Sequence, residues 1–270
     1  MSVQTEPVLI AGRWQPSLET VKTFRAVDPA LGEACGPEFP TSGAADIEAA
    51  LAAASGVAET LAATEPERIA AFLDAYAARI DANAQALAEL AQRETGLSAQ
   101  GRFLPAEIPR TSGQLRQAAT AVRERSWTVP VIDTAAGLRA HLAPLGKPVL
   151  VFGPNNFPFA FNGIAGSDFA SAIAARNPVI AKAHPSHPGT SKRLAELAHE
   201  ALQEAGLPAQ AVQMLYQFPR ELGMKLAADA RLGAIGFTGS RGAGLGLKAA
   251  ADTAGVLFYG ELSSINPVFL

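Results

Sequence analysis

Residues 234–262 read AIGFTGSRGAGLGLKAAADTAGVLFYGEL. The apolar run Ala234–Phe237 is followed by a glycine-rich turn, the alanine-rich stretch Ala243–Ala251, and a second apolar run, Val256–Tyr259. The pattern predicts strand, helix, strand, and two strands joined through a helix run parallel. The same alternation begins upstream. Val149–Phe152, Val179–Ala181 and Val212–Tyr216 are predicted strands, and Ile164–Ala175, Ser191–Ala205 and Glu221–Ala228 are the helices between and after them. Such an α/β alternation calls for right-handed crossovers and a parallel sheet. Ligands bind these sheets outside the carboxyl ends of the strands, so the residues directly after each strand are the candidates for chemistry.

Upstream the period changes. Between Ser42 and Arg125 apolar residues recur at helical spacing: Ile47, Leu51 and Ala54, then Ile69, Phe72, Leu73, Tyr76 and Ile80, then Leu87 and Leu90, which predicts four helices. Pro66 after Glu65 suits a first helical turn, and Gly96 after Glu94-Thr95 suits a C-cap. Trp127–Leu145 has β-branched residues, a glycine turn and flanking prolines, and predicts a two-stranded ribbon.

With 270 residues, 49% of them hydrophobic, the chain buries a sizeable core in one large domain or two small ones. Its 22 basic and 25 acidic residues leave a net charge of −3 without a cationic block, which argues against a nucleic-acid partner. Cys35 is the only cysteine, so no intramolecular disulfide or CxxC pair exists and a reducing, cytoplasmic setting is expected. No basic segment leads into an apolar run at the N-terminus, and no stretch is apolar for long enough to span a bilayer, so a soluble protein with no membrane partner is expected.

Each predicted strand ends on a motif. After the first comes Gly153-Pro154-Asn155-Asn156-Phe157-Pro158, in which two prolines stiffen a loop whose Asn amide can face a developing oxyanion; a plain Pro/Asn turn has the same composition. After the second comes Lys182-Ala183-His184-Pro185-Ser186-His187, with a lysine placed to donate to ribose or phosphate. Its two histidines have no acidic or cysteine partner at metal-ligand spacing, so no metal is expected; they read as solvated loop residues or as donors to a cofactor phosphate. After the fourth comes Thr238-Gly239-Ser240-Arg241-Gly242-Ala243-Gly244, glycines ahead of a helix N-terminus that let a pyrophosphate approach the backbone. The turn is one residue short of the TGxxxGxG of short-chain dehydrogenases, and too little chain follows for their Tyr and Lys pair. After the fifth comes Glu261, expected in an apolar setting that favours general-base work, or else a surface carboxylate at a strand end.

Taken in order, Glu94-Thr95-Gly96, GPNNFPFAF (153–161), VIAKAHPSHPGTS (179–191), GFTGSRGAG (236–244) and GELSSINPVF (260–269) resemble the aldehyde dehydrogenase superfamily. KAHPSHPGTS and SSINPVFL look like its α-ketoglutarate semialdehyde (2,5-dioxopentanoate) branch. The resemblance implies an aldehyde dehydrogenase-like α/β fold. Residues 1–126 would be an N-terminal helical arm, 127–146 a β-ribbon oligomerisation element, 147–262 a Rossmann-like cofactor domain, and 263–270 the start of a catalytic domain otherwise missing. It implies a homo-oligomer, dimer or tetramer, at full length.

It also implies roles. Asn156 would be the oxyanion donor and Glu261 the base that activates the deacylating water. Phe152, Pro154, Asn155, Lys182, His184, Ser186, Gly239, Ser240, Gly244 and Leu262 would hold the cofactor, with Lys182 at the adenosine ribose and Ser240 at the pyrophosphate. Family members attack the aldehyde with a cysteine, and the thiohemiacetal yields hydride to a nicotinamide. That cysteine would lie beyond Leu270, and Cys35, in GEACGPEFP, is far from every motif and not promoted to its role, so the chain is expected to be an N-terminal portion, inactive alone. NAD-preferring relatives place a Glu where Pro185 stands; without that carboxylate a 2′-phosphate is tolerated beside Lys182, His184 and Ser186, so NADP is expected, with NAD possible. The small-molecule substrate would be a dicarboxylic semialdehyde, with Arg102, Arg110 and Arg116 as candidates for its carboxylate. A non-catalytic dinucleotide-binding module is the alternative. A reductase of acyl-phosphates or acyl-CoA would typically lack Glu261.

Overall fold

The computed structural model describes residues 5–265 and 267–269. Met1–Gln4, Asn266 and Leu270 lie outside the described residues, the last two within the stretch expected to open a catalytic domain.

The centre is a seven-stranded sheet. Five of its strands are parallel: β7 (Val149–Phe152), β8 (Val179–Lys182), β9 (Val212–Leu215), β10 (Ala234–Gly239) and β11 (Leu257–Leu262). Strands β7 and β9 are buried along their whole length, as the apolar runs VLVF and VQML require of strands covered on both faces. The helices between them are α5 (Ser167–Ala174), α6 (Pro188–Glu204), α7 (Arg220–Ala227) and α8 (Arg241–Thr253). The alternation expected from residue 149 onward is present: the first strand has the expected bounds, and the other elements differ at one or both ends by a few residues.

The spatial order β11-β10-β7-β8-β9 shows that the chain winds outward from β7 in one direction and then crosses back to wind in the other. The reversal falls between β7 and β10, which makes the crevice above their carboxyl ends the expected ligand site.

The N-terminal stretch departs from the expected helical arm, because four strands precede its helices. β1 (Val8–Ile10) and β2 (Arg13–Gln15) extend the central sheet antiparallel beyond β9, and β3 (Thr20–Asp28) and β4 (Glu33–Ser42) form a separate ribbon. Buried Gln213 of β9 fastens the first pair, accepting a bond from Ala11 N and donating to Gln210 O.

The four expected helices follow: α1 (Ala44–Ala62), α2 (Pro66–Ala82), α3 (Ala84–Thr95) and α4 (Ile108–Glu124). Pro66 occupies the first turn of α2, and Gly96 closes α3 in the left-handed conformation at φ 70°. Their apolar stripes meet α5 in one core, where Phe72, Tyr76 and Phe169 pack ring against ring. Between α3 and α4 lies an unexpected π-helical segment, Ala99–Glu107, which contains Pro105. The expected ribbon is present as β5 (Val131–Asp133) and β6 (Leu138–Ala140), solvent-exposed throughout.

Candidate active site

The crevice at the switch point is a cleft of about 610 Å³, walled by residues at and just beyond the carboxyl ends of β7, β8, β10 and β11. Phe152, Pro154, Asn155 and Asn156 form one wall, Lys182 and His184 a second, Gly239 and Ser240 a third, and Glu261 and Leu262 the fourth. Ten of the twelve sequence-predicted site residues therefore share one cavity.

The remaining two are elsewhere. Ser186 opens onto a neighbouring cleft of about 450 Å³ on the other side of Asn155 and Asn156. Gly244 is buried in the first turns of α8, where a Cβ would collide with the Leu262 side chain and crowd Phe237. It allows the helix to approach β11 and does not face the cleft.

The Asn156 loop is tethered from the π-helical segment. Buried Glu107 accepts bonds from Phe159 N at 2.9 Å and Ala160 N at 3.3 Å, and pairs with Arg102 Nε at 3.1 Å. Arg102 in turn donates to Asn156 O and lies 4.5 Å above the Phe157 ring. A buried carboxylate with three donors, one of them its counter-ion, is stable where a bare one is not. Glu107→Ala is expected to orphan both N–H groups and lower stability by about 2–3 kcal/mol; urea denaturation with an unchanged midpoint would rule the tether out.

Burial holds the Lys182 ammonium down, to about 8 from the usual 10.5. Of the two expectations for the histidines, solvated loop residues or donors to a cofactor phosphate, the first does not hold: His184 is half-buried in the cleft wall. His187 is fully buried, donates from Nε2 to Pro154 O at 3.0 Å, and so ties the β7 loop to the start of α6. Burial lowers it to about 4, while burial, His187 and Lys182 lower His184 to about 3, so both are neutral at pH 7. Among the described residues no cluster of three or more His, Cys, Asp and Glu side chains is gathered as a metal site.

His187 occupies the N-cap of α6 without capping it through its side chain. The cap comes from Glu94, 95 residues upstream, whose buried carboxylate accepts from Gly189 N (2.8 Å), Thr190 N (2.8 Å) and Thr190 Oγ1 (2.7 Å). This is the physical content of the Glu94-Thr95-Gly96 motif: the glycine ends α3 so that the glutamate can cap α6. Ser240 caps α8 in the ordinary way, accepting from Ala243 N.

Glu261 pairs across to Thr238 on β10 and is exposed, so the apolar setting expected for it is absent. Its charge is felt by Asp168, a residue that sequence reasoning missed. That half-buried carboxylate lies against Gly236, and burial first, then Glu261, raises its pKa. Arg220 was missed as well: it lines a second cleft, of about 500 Å³, that shares Lys182 and Ser240 with the first. The sequence signal for both was weak, an acid and a base in the first turns of α5 and α7.

Of the three candidate arginines, Arg102 sits in the π-helical segment, Arg116 pairs with Asp81 at 2.6 Å, and Arg110 stacks 4.9 Å over Phe161. Cys35 is not far from every motif: its Sγ is 4.0 Å from Arg93 O, beside Glu94. Burial, then Glu94 and Asp28, push its thiol up, which leaves it protonated and a poor nucleophile.

A crevice at the reversal of a parallel sheet, with a lysine at one strand end and a serine-capped helix at another, defines an open α/β nucleotide-binding fold. Residues 14–270 match the model of the aldehyde dehydrogenase family, and the chain belongs to that family. It is 40% identical over 260 residues to alpha-ketoglutaric semialdehyde dehydrogenase 2 of Azospirillum brasilense, covering 92% of this chain and 49% of that protein. A putative aldehyde dehydrogenase from Burkholderia cenocepacia superposes with a TM-score of 0.81 at 26% identity, over 96% of this chain and 51% of that one. Aldehyde dehydrogenase C from Pseudomonas syringae, solved with NAD+ and octanal, shares the fold with a TM-score of 0.83 at 22% identity, over 98% and 52%. The chain spans about half the length of the curated relatives it matches.

Proposed function

We propose that the protein carrying this sequence oxidises α-ketoglutarate semialdehyde to the dicarboxylic acid, with NADP+ as the preferred hydride acceptor and NAD+ as a second. The observation that carries the reading is the single cleft shared by Asn156, Lys182, Ser240 and Glu261, together with the likeness to the Azospirillum enzyme. The cleft suits a dinucleotide: it shares Lys182 and Ser240 with a second cavity, and Lys182 is an amine within 4.0 Å of no described carboxylate. When bound, the nicotinamide supplies the hydride acceptor.

The rest of the assignment concerns this chain's side chains. The Asn156 amide donates to the carbonyl oxygen as negative charge develops on it. Glu261 takes a proton from the water that releases the acid. Lys182 donates to the ribose and the N-terminus of α8, capped by Ser240, faces the pyrophosphate. The nucleophilic cysteine of the family's chemistry is not among these residues, so the chain alone is assigned cofactor binding without turnover. The exposed apolar side chains Val131, Ile132 and Leu138 of the ribbon support its assignment to oligomer contacts. Among the described residues no helix is long and apolar enough to cross a membrane; a cytoplasmic location is part of the proposal.

The 2′-phosphate would meet Lys182 and Arg220, with Pro185 where a repelling glutamate would otherwise stand. Titration of the purified chain is expected to give NADP+ at least the affinity of NAD+. Arg220→Gln should weaken NADP+ about 10-fold, one charge-assisted hydrogen bond's worth, and leave NAD+ unchanged. Clearly tighter NAD+ would overturn the preference. Absence of reduced cofactor when the intact enzyme meets 2,5-dioxopentanoate would overturn the reaction.

A further inference from the structure

We infer that Arg110 is the residue that recognises the carboxylate at the far end of the substrate, making the site selective for aldehydes that carry an acid several carbons from the carbonyl. The inference rests on the proposed function and deepens it.

Three arginines on this side of the fold are candidates, and two of them are occupied. Arg102 is paired with Glu107, bonded to Asn156 O and laid over Phe157. Arg116 is paired with Asp81. Arg110 differs from both: among the described residues no carboxylate lies within 4.0 Å of its guanidinium, and no hydrogen bond holds it. Glu107, three residues away, does not neutralise it, because that carboxylate is already engaged by Arg102 and by two backbone N–H groups.

The local backbone does not favour a cation there either. Arg110 stands in the first turn of α4, at the positive end of the helix dipole, where an unpaired positive charge is mildly destabilising. Its side chain is exposed, so the guanidinium is open to a ligand from solvent.

The surroundings define that ligand's shape. Phe157 follows Asn156 directly, and its ring meets Phe161 edge to face, 5.2 Å between centroids at 89°. Arg110 lies over Phe161, 4.9 Å from the ring centre. Phe157, Phe161 and Arg110 lie outside the wall of the 610 Å³ cleft but run from the Asn156 loop by successive contacts. In the proposal a molecule whose carbonyl oxygen is held by the Asn156 amide lies along these two rings, with the planar cation at its far end. The guanidinium fork matches a carboxylate in bidentate fashion, and the ring beneath it limits the orientations it samples.

The test compares two aldehydes on the intact enzyme with NADP+: 2,5-dioxopentanoate, which is charged, and pentanal, which has the same carbon count and no carboxylate. Arg110→Gln is expected to lower kcat/KM for the charged aldehyde about 10- to 100-fold, through KM, and to change pentanal less than about twofold. Arg110→Lys should recover part of the loss, because a point charge replaces the fork. NADP+ affinity, measured on the same variants, should stay at the wild-type value. Equal losses on both aldehydes, or an unchanged KM for the charged one, would overturn the inference while leaving the proposed function in place. A wild-type enzyme that oxidises neither aldehyde would overturn both.

Discussion

Glu94→Ala is expected to lower the unfolding free energy by about 3 kcal/mol, the combined cost of orphaning three donors that now share one carboxylate. The donors are Gly189 N, Thr190 N and Thr190 Oγ1, all at the N-terminus of α6 and two of them on a buried residue. Water cannot replace the carboxylate freely there. For a protein of this size the loss corresponds to a fall in Tm of roughly 6–12 °C. Glutamine keeps one acceptor oxygen but turns an NH2 toward the remaining donors, so Glu94→Gln should recover only part of the loss. Because α6 begins directly after Lys182-Ala183-His184-Pro185-Ser186-His187, weakening its cap should also loosen that loop and weaken dinucleotide binding. Calorimetry and a cofactor titration check the two effects separately. An unchanged Tm would mean that the motif acts through something other than the cap.

Lys182→Met should act in opposite directions on stability and on binding. In the free chain the Lys182 amine is desolvated, with its pKa lowered to about 8 from 10.5. Between those two values the unfolded chain binds more protons than the folded one, so this group's contribution to stability rises with pH from about 8 to 10.5 and is most unfavourable below 8. Methionine keeps the apolar stem and removes the charge. The variant should therefore be more stable than wild type at pH 7 and should lack the alkaline gain. It should also bind NADP+ about 10- to 100-fold more weakly, since a charge-assisted bond to the ribose is lost. In the wild type the same ammonium makes cofactor affinity fall as pH rises through about 8, and that dependence should vanish in the variant. Isothermal titration at pH 7 and pH 9.5 tests it; equal affinities for wild type and variant would remove Lys182 from the cofactor site.

The parts of the fold legible in the sequence are those where one local pattern suffices. Each parallel strand from β7 to β11 is a short apolar run, each helix between them has a 3.6-residue stripe, and Asn156, Lys182, Ser240 and Glu261 share one cleft because they stand at the ends of such runs. Strands β1 and β2, three residues each, are too short to display a period. The π-helical segment was hidden because Gly101 and Pro105 read as breakers. What supports the site was illegible for a different reason. Glu94 with Thr190, Glu107 with Phe159, and Asp168 with Gly236 join residues more than fifty positions apart, and no spacing rule connects them. His187 was misread because its loop is polar in composition, yet the residue is wholly enclosed.

Strand β1 has a temporal consequence. Val8, Leu9 and Ile10 are fully enclosed in the finished sheet, but Leu9 aligns with Met214 on β9, so the slot it fills does not exist until the ribosome has added some two hundred further residues. At 5–20 residues per second that interval is roughly 10–40 s. Throughout it β1 has only β2 and the helices already made, α1 to α4, to pack against. The closing of β1 onto β9 is thus a late, long-range event in the assembly of the sheet.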